Sequence, residues 1–353
     1  MSSEIRNAQR TRLPAPIVEG QPITALAPMQ DVTDRPFMRV ISAFGAPDYY
    51  VTEYFRVHAQ SRLEKHILEA ITQNDTDRPV FAQMIGEDTR HLLRSAKELL
   101  NYPVAGIDLN MGCPSPTVYK KQCGGGLLRD VAKVDAILGA LRQAIPGLFT
   151  VKMRIGFQDT ENFAPLLELI NKHQVDMLSL HGRTVKEMYR SEVHYDYIKQ
   201  AVESVSCPVL ANGDITSARK ARWALDFTGA EGVMVGRHAI RNPWIFKQIR
   251  EEQAGLPVSR IPLYEVNRYV HMLYSEVSKP HLPERGKVNK MKKYLNFVGQ
   301  GVDPDGAFLY EMRRAKTEDQ LFEICDRHMP DEPGRFFADE PFEGVVARPN
   351  CES

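Results

Sequence analysis

The segment PVLANGDITSARKARWALDFTGAEGVMVGR, residues 208–237, carries the pattern that decides the fold. It opens with a short apolar run, continues through a stretch of helical period, and closes with a second short apolar run. Parallel strands need a crossover connection, which is usually a helix, so this order is typical of a parallel α/β protein. The segment therefore predicts one strand–helix–strand unit.

The same alternation extends toward the N-terminus and predicts eight strands, each followed by a helix. Such a chain folds as an α/β protein of the (β/α)8 TIM barrel type. The alternative is a doubly wound sheet, but the GxGxxG fingerprint of its dinucleotide-binding form does not follow the first strand. The predicted strands are ITALAPM (23–29), DYYVTEYF (48–55), PVFAQMIG (79–86), GIDLNMG (106–112), FTVKMRIG (149–156), MLSLHGR (177–183), PVLANGD (208–214) and GVMVGR (232–237).

Beyond the eighth strand the pattern becomes all-helical, with helices predicted over 262–278, 284–299, 305–315 and 317–328. We therefore expect an N-terminal extension (1–20), a barrel (21–255), a small all-α helical bundle (256–329) and an acidic, Pro-rich tail (330–353). Both ends are polar or Pro-rich, which predicts poor order.

The helical bundle carries a basic cluster between Lys279 and Lys293, with six basic residues and one acid. A concentration of positive charge favours a polyanionic partner, and a solvated helix face is the alternative. Four of its lysines lie on one predicted helix: Lys287, Lys290, Lys292 and Lys293.

Composition excludes several classes of protein. The 353 residues contain 45 basic and 45 acidic residues, and the hydrophobic fraction of 43% is ordinary for a globular chain with a sizeable core. The sequence has no run of 18 apolar residues, so we expect no membrane span, and its first residues have no apolar stretch that would suggest export. The five cysteines are scattered without a CxxC pair, and the histidines without HExxH, so we expect a cytoplasmic protein without a metal site.

Polar residues stand where most of the predicted strands end. In a TIM barrel these carboxyl ends form the catalytic face, and the loops after strands seven and eight commonly hold a phosphate. Asn212, Gly213, Asp214, Gly236 and Arg237 fit such a phosphate site. A phosphorylated aromatic cofactor such as FMN suits the rim, and a sugar phosphate is the alternative. The earlier strand ends contribute Gln83, Asn110, Lys152, Arg154, His181 and Arg183.

The loop after the fourth strand is longer than the others and carries Cys113 and Cys123. A free thiol has a pKa near 8.5, so at neutral pH it is mostly protonated and can act as an acid. Cys113 is either that acid or an inert buried thiol, and Cys123 is the weaker candidate.

Six motifs spread over the chain are ALAPMQDVTDRPF, DLNMGCPSPTVYKKQCGGGLLRD, VKMRIG, LHGRT, ANGDI and VMVGR. Together they resemble a known family, the tRNA-dihydrouridine synthases, from about Ile23 to Met329. The specific part is NxGCP with its downstream glycines. The resemblance implies an FMN-binding barrel with a helical tRNA-binding domain, which reduces the C5=C6 bond of particular tRNA uridines with FMN recharged by NADPH.

The resemblance also implies roles for individual residues. Cys113 would be the proton donor, with Asn110 and Arg183 beside the target uracil. VTEYFRV and HGRTVKEMYRSEVHYDYI are similar to the bacterial subgroup acting on D-loop uridine 16, which implies Arg56 and Tyr189 as tRNA contacts. The four lysines of the bundle would grip the tRNA backbone. The implied FMN-binding residues are Pro28, Met29, Gln30, Gln83, Lys152, His181, Asn212, Gly213, Asp214, Gly236 and Arg237.

We expect a monomer that binds tRNA and neither a membrane nor a metal. Two alternatives remain open from the residues alone. One is an FMN barrel that reduces or oxidises a free pyrimidine, of the dihydroorotate dehydrogenase kind. The other is a non-catalytic RNA-binding protein.

Overall fold

The strands form one parallel sheet that closes on itself. The computed structural model describes residues 13–18, 20–278 and 282–347. The strands are β1 Ile23–Leu26, β2 Tyr49–Val51, β3 Phe55–Arg56, β4 Val80–Ile85, β5 Gly106–Met111, β6 Phe149–Arg154, β7 Met177–His181, β8 Val209–Asn212 and β9 Gly232–Val235. Neighbouring strands follow the order β2-β1-β9-β8-β7-β6-β5-β4, and a β2–β4 pairing completes the ring. The predicted TIM barrel is therefore confirmed.

The second predicted strand, 48–55, is broken into β2 and β3, and both pieces pair with β4. Side chains in the break make hydrogen bonds to the backbone of neighbouring segments. The Thr52 hydroxyl accepts from the Gln83 N–H at 3.1 Å, and the Glu53 carboxylate accepts from the Val32 N–H at 2.9 Å. The barrel thus keeps eight positions around its circumference, with the second one interrupted.

Helices follow the strands as the alternation predicts. Asp88 caps one of them, since its carboxylate accepts from the N–H groups of Arg90 and His91. The helices are α1 Arg35–Gly45, α2 Lys65–Thr72, α3 Thr89–Leu99, α4 Pro116–Tyr119, α5 Val131–Ala144, α6 Phe163–Lys172, α7 Tyr195–Ser204, α8 Ala218–Thr228, α9 Arg237–Arg241, α10 Ile245–Gln253, α11 Leu263–Val277, α12 Glu284–Val298, α13 Ala307–Met312 and α14 Glu318–His328.

Contacts divide the chain into two compact units. The barrel unit comprises Met1–Arg35, Pro47–Asp214 and Trp223–Gly236, and the helical unit comprises Pro36–Ala46, Ile215–Arg222 and Arg237–Ser353. The helical unit is thus discontinuous, unlike the contiguous domains that the sequence suggested.

Two side chains of α1 show why that helix groups with the helical unit. The ring of Phe37 stacks on Tyr294 of α12 at 5.7 Å, and Arg39 pairs with Glu276 of α11 at 3.3 Å. Such long-range packing leaves no mark on local periodicity.

Inside the barrel unit, a core cluster lies where the strands begin, and it includes Ile23, Leu148 and Met177. Leu13 and Ile17 are partly buried against this cluster. The extension predicted to be poorly ordered is therefore packed at these two residues, because apolar side chains gain by leaving water. Residues 1–12 and 19 of that extension lie outside the described residues.

The tail is also packed, so the prediction of poor order is wrong for its described part. In the helical unit, Phe336 forms an isolated antiparallel β-bridge with Pro262, and the Phe337 N–H donates to the Ile261 carbonyl at 2.8 Å. The side chain of Arg241, fully buried, donates to Ala338 at 2.8 Å and also to Asp339. Polar, Pro-rich composition predicted poor order, but backbone carbonyls of the tail accept hydrogen bonds from both terminal nitrogens of a buried guanidinium. Residues 348–353 lie outside the described residues.

Within the part of the chain that the structure describes, no helix is long and apolar enough to cross a membrane.

Candidate active site

A chain of hydrogen bonds runs from the barrel interior to Cys113. The register pairs Gln83 on β4 with Asp108 on β5, and the Gln83 Nε2 donates to the Asp108 carboxylate at 2.8 Å. The Asn110 Nδ2 donates to the Gln83 Oε1 at 2.8 Å. The Asn110 Oδ1 then accepts from the N–H groups of Gly112 and Cys113, both at 3.0 Å. Asn110 therefore fixes the backbone that carries the thiol.

Cys113 is half-buried beside an apolar cluster of Tyr54, Ile85 and Val118. Burial raises the pKa of its thiol above the ordinary value, and the N–H of Ser115 opposes the rise. The raised pKa keeps the thiol protonated at neutral pH, as an acid requires. Cys123 packs against the same cluster, and its Sγ donates to the Lys121 carbonyl at 3.4 Å.

Arg154, noted at the end of its strand without a role, ties two loops together. It is 2% exposed, and its Nε donates to the Gly112 carbonyl at 3.1 Å. Its Nη1 donates to the carbonyls of Thr184 and Met188, both at 2.8 Å. The guanidinium thus joins the loop of Cys113 to the loop after β7.

Lys152 carries a charge into the barrel interior. Its Nζ donates to the Asn212 Oδ1 at 3.1 Å, and the Asn212 Nδ2 donates to the Met234 carbonyl at 2.7 Å. Burial lowers the pKa of Lys152 to about 8, and Asp108 opposes the shift. Burial raises the pKa of Asp108 in turn. A buried ammonium held by one amide oxygen has donors left for an electron-rich group.

His181, Arg183 and Asp214 form a second linked group at the ends of β7 and β8. Arg183 pairs with the Asp214 carboxylate through both terminal nitrogens, the Nη1 contact being 3.2 Å. That Nη1 also lies 3.4 Å from the His181 Nε2. The ring of Tyr189 lies 6.2 Å from the His181 ring and 5.3 Å from the Arg154 guanidinium. The group places one imidazole and one exposed aromatic ring on the same rim.

The loop after β1 contributes Pro28, Met29 and Gln30, all half-buried. The Thr33 hydroxyl accepts from the Met29 N–H at 2.9 Å, and the Gln30 Nε2 donates to the Glu53 carboxylate at 3.3 Å. These bonds hold the loop at the rim.

The phosphate candidates divide between the two units. Gly213 belongs to the barrel unit and has φ +120°, while its carbonyl accepts from the Tyr195 hydroxyl at 2.6 Å. Gly236 ends the last barrel segment, and a Cβ there would lie 3.5 Å from Ala27. Arg237 begins α9 in the helical unit.

Replacing Gly213 with alanine should destabilise the protein by about 1–3 kcal/mol, because φ +120° is strained for any side chain. The new Cβ would also lie 2.9 Å from Val193 and 3.0 Å from the His181 ring. Thermal denaturation measures the loss. Gly147→Ala is the matched control, since its Cβ would meet nothing within 4 Å. Equal melting temperatures for the two variants would contradict the assigned strain.

The predicted tRNA contacts on β3 and on α12 are placed as follows. Arg56 is exposed, and its guanidinium lies 5.4 Å from the Tyr54 ring. Lys287, Lys290 and Lys293 lie on α12 in the helical unit, where Lys293 is exposed and the other two are half-buried.

Lys292 corrects the prediction of four tRNA-binding lysines. Its Nζ donates to the carbonyls of Arg313, at 3.0 Å, and of Ala315. Its ammonium therefore fastens α12 to the segment after α13. Lys292 lies two residues after Lys290 and one before Lys293, so it points away from the face that the other three lysines share.

Sequence reasoning assigned no role to three residues of the site: Asp108, Thr150 and Glu53. The Thr150 hydroxyl donates to the Asp108 carboxylate at 2.6 Å, and both are buried. The available signal was a charged residue inside an otherwise apolar strand, GIDLNMG. Such a residue must be hydrogen-bonded, because burying an unpaired charge is costly.

Among the described residues, no group of three or more His, Cys, Asp or Glu side chains could hold a metal ion.

Comparison with known proteins identifies the family. The family model described as Dihydrouridine synthase (Dus) matches residues 25–332. That match covers most of the chain, so the chain belongs to the dihydrouridine synthase family.

Individual relatives agree with this membership. The chain is 33% identical over 310 residues to tRNA-dihydrouridine synthase B of Vibrio cholerae, covering 85% of this chain and 94% of that protein. It is 29% identical over 312 residues to the tRNA-dihydrouridine(16) synthase of Neisseria meningitidis, covering 85% and 93%. It is 38% identical over 264 residues to tRNA-dihydrouridine synthase B of Pseudomonas putida, covering 71% and 77%.

The chain is thus a tRNA-dihydrouridine synthase, an NAD(P)H-dependent oxidoreductase. The resemblance stated from the motifs is confirmed. The alternatives of a free-pyrimidine enzyme and a non-catalytic RNA-binding protein are set aside, because the match spans both the barrel strands and the C-terminal helices.

Proposed function

We propose that this enzyme binds FMN on the barrel rim, takes reducing equivalents from NADPH, and reduces uridine 16 in the D-loop of tRNA. The observation that carries the chemistry is the Cys113 thiol, which burial keeps protonated at the end of a hydrogen-bonded chain. The choice of uridine 16 is supported by VTEYFRV and HGRTVKEMYRSEVHYDYI. Relatives named for synthase B and for position 16 both match the chain.

The donor set of the rim fits a phosphorylated flavin. The ammonium of Lys152 and the ring of His181 suit the electron-rich ring, and the buried Gln30 Oε1 has no hydrogen-bond partner among the described residues. Gly236 has no side chain and a Cβ there would come no nearer than 3.5 Å to Ala27, so its backbone can be approached closely by a ligand. The remaining proposed FMN contacts are Pro28, Met29, Gln83, Asn212, Asp214 and Arg237.

When bound, FMN reduced by NADPH supplies a hydride to C6 of the uracil ring. The chain itself supplies the proton, because the Cys113 thiol stays protonated and can donate to C5 of the uracil. Asn110 and Arg154 keep the loop of that thiol in place through the Cys113 N–H and the Gly112 carbonyl. The target base must leave its stack, which costs a few kcal/mol and less in an unpaired loop.

The helical unit supplies the positive charge for the tRNA backbone. Replacing Lys287, Lys290 and Lys293 with alanine should weaken tRNA binding and flatten its salt dependence, because each phosphate contact releases counterions. The log–log slope should fall by roughly 0.7–0.9 for each lost contact. Affinity for unmodified tRNA at several salt concentrations measures this slope.

Lys292→Ala is the matched control, since its ammonium already bonds two carbonyls of the protein. It should lower the melting temperature and leave the slope of tRNA binding unchanged. Equal slopes for wild type and the triple variant would remove the basic face from the tRNA site.

Mapping dihydrouridine by mass spectrometry tests the target position. A strain lacking this gene should lose dihydrouridine at position 16 and regain it when the gene is restored. Loss at any other position instead would overturn the assignment to uridine 16. We further propose that the enzyme works in the cytoplasm and is a monomer. Light scattering of the purified protein tests the monomeric state.

A further inference from the structure

Glu53 is a buried carboxyl that pairs with Gln30, and the proposed chemistry gives Glu53 itself no role. Glu53 lies in the break between β2 and β3 and is 4% exposed. Its Oε1 accepts from the Val32 N–H at 2.9 Å, and its Oε2 lies 3.3 Å from the Gln30 Nε2. The Gln30 Oε1 is buried and has no hydrogen-bond partner among the described residues.

The chemistry of this pair leaves two arrangements. A backbone N–H can only donate, so the Glu53 Oε1 stays an acceptor in both. When the carboxyl is ionised, its Oε2 also accepts, and Gln30 must turn its amide nitrogen toward it. The Gln30 oxygen then faces away as an unused acceptor. When the carboxyl is protonated, the proton is on Oε2, which then donates a hydrogen bond to the Gln30 oxygen. The amide turns over, and Gln30 then offers a nitrogen instead.

We propose that Glu53 is a positioning residue whose protonation sets whether Gln30 offers a hydrogen-bond acceptor or a donor to the flavin. The proposal rests on the proposed function, which puts the flavin against Pro28, Met29 and Gln30. In the ionised state the free acceptor suits an N–H of the flavin ring. Glu53 acts only through Gln30 and the loop after β1.

The surroundings of Glu53 place this change near neutral pH. Burial raises the pKa of Glu53 to about 7, the negative charges of Asp34 and Asp31 add to the rise, and the Val32 N–H opposes it. Above that pH Gln30 therefore presents its oxygen, and below it the nitrogen. The other groups around Glu53 are Tyr54 next in the chain and, along one small cavity, Thr33, Thr52, His66, Ile67 and Ala70.

Riboflavin is the probe that isolates this effect, because it lacks the phosphate that itself titrates near pH 6. Glu53→Gln keeps an acceptor for the Val32 N–H and always donates to the Gln30 oxygen, so it fixes the arrangement of the protonated carboxyl. Wild type should bind riboflavin about 3- to 10-fold more tightly than this variant at pH 8, the worth of one hydrogen bond. At pH 6 the two affinities should be equal.

The ratio between the two proteins cancels the titration of rim groups that do not interact with residue 53, Lys152 among them. Fluorescence quenching on the purified, flavin-free protein gives both affinities without any turnover. Glu69→Gln, an exposed carboxylate on α2, is the matched control and should follow wild type at both pH values.

A swapped pair supplies the rescue. In Gln30→Glu combined with Glu53→Gln, residue 53 donates to the carboxylate at 30, whose second oxygen is again a free acceptor. Riboflavin affinity at pH 8 should return toward the wild-type value. If Glu53→Gln alone fails to fold, Gln30→Met replaces it. Removing the amide should abolish the difference in riboflavin affinity between pH 8 and pH 6 that Gln30 gives to wild type.

Three results would overturn the proposal. A ratio that is the same at pH 6 and pH 8 would make Glu53 a structural residue only. Equal affinities at pH 8 would show that Gln30 presents the same group in both proteins. Folded wild type that binds neither riboflavin nor FMN would overturn the proposed function, and the inference with it.

Discussion

Replacing Cys113 with alanine should lower dihydrouridine formation by about 10²–10⁴-fold, the usual contribution of a general acid. Flavin content and NADPH oxidation should be retained, because the thiol is required only when the uracil carbon takes its proton. Burial raises the pKa of this thiol, so the loss should be nearly constant across neutral pH. Single-turnover assays on unmodified tRNA measure the rate, and anaerobic mixing with NADPH measures flavin reduction.

Cys123→Ala is the matched control, since that thiol packs against the same apolar cluster but donates to the Lys121 carbonyl. It should keep wild-type turnover. Wild-type turnover in the Cys113 variant would show that Cys113 is not the acid and would make Cys123 the next candidate.

Replacing Arg154 with leucine should destabilise the barrel unit by about 3–5 kcal/mol. The substitution leaves three carbonyls without a donor, those of Gly112, Thr184 and Met188, and each buried orphan costs about 1–3 kcal/mol. Removing a buried charge returns part of this cost. Chemical denaturation followed by fluorescence measures the change.

The variant should also lose activity beyond its loss of stability, because the Gly112 carbonyl precedes Cys113 in the loop. Arg190→Leu is the matched control, an exposed arginine near the same loop. If Arg154→Leu has the same free energy of unfolding as this control, the three hydrogen bonds of Arg154 do not stabilise the loops.

The fold could be predicted because its information is local. Apolar runs of strand length alternate with helical periods, and the rim residues follow from where each run ends. Gly213, Lys152 and His181 were found in this way. Their pairing was not, because the Lys152–Asn212 bond joins strands far apart in the chain.

Other features of the site needed coordinates for physical reasons. The break between β2 and β3 depends on side-chain bonds from Thr52 and Glu53 to backbone groups of distant segments. Lys292 reads as a charged surface residue until its two carbonyl partners are seen. Composition also misjudged the tail, since an acidic sequence can still be held through its main chain.

The packed tail behaves as an intramolecular ligand of the helical unit, because the chain itself links it to its binding site. Arg241, whose pKa burial lowers to about 10, takes the carbonyls of Ala338 and Asp339, and the ring of Phe337 lies 5.4 Å from its guanidinium. Covalent attachment gives such a ligand a high effective concentration, so modest contacts suffice for full occupancy. Truncation before residue 336 would leave the Arg241 guanidinium without its partners in the tail. The same segment added as a free peptide would bind only at a concentration comparable with the effective concentration that the covalent link provides.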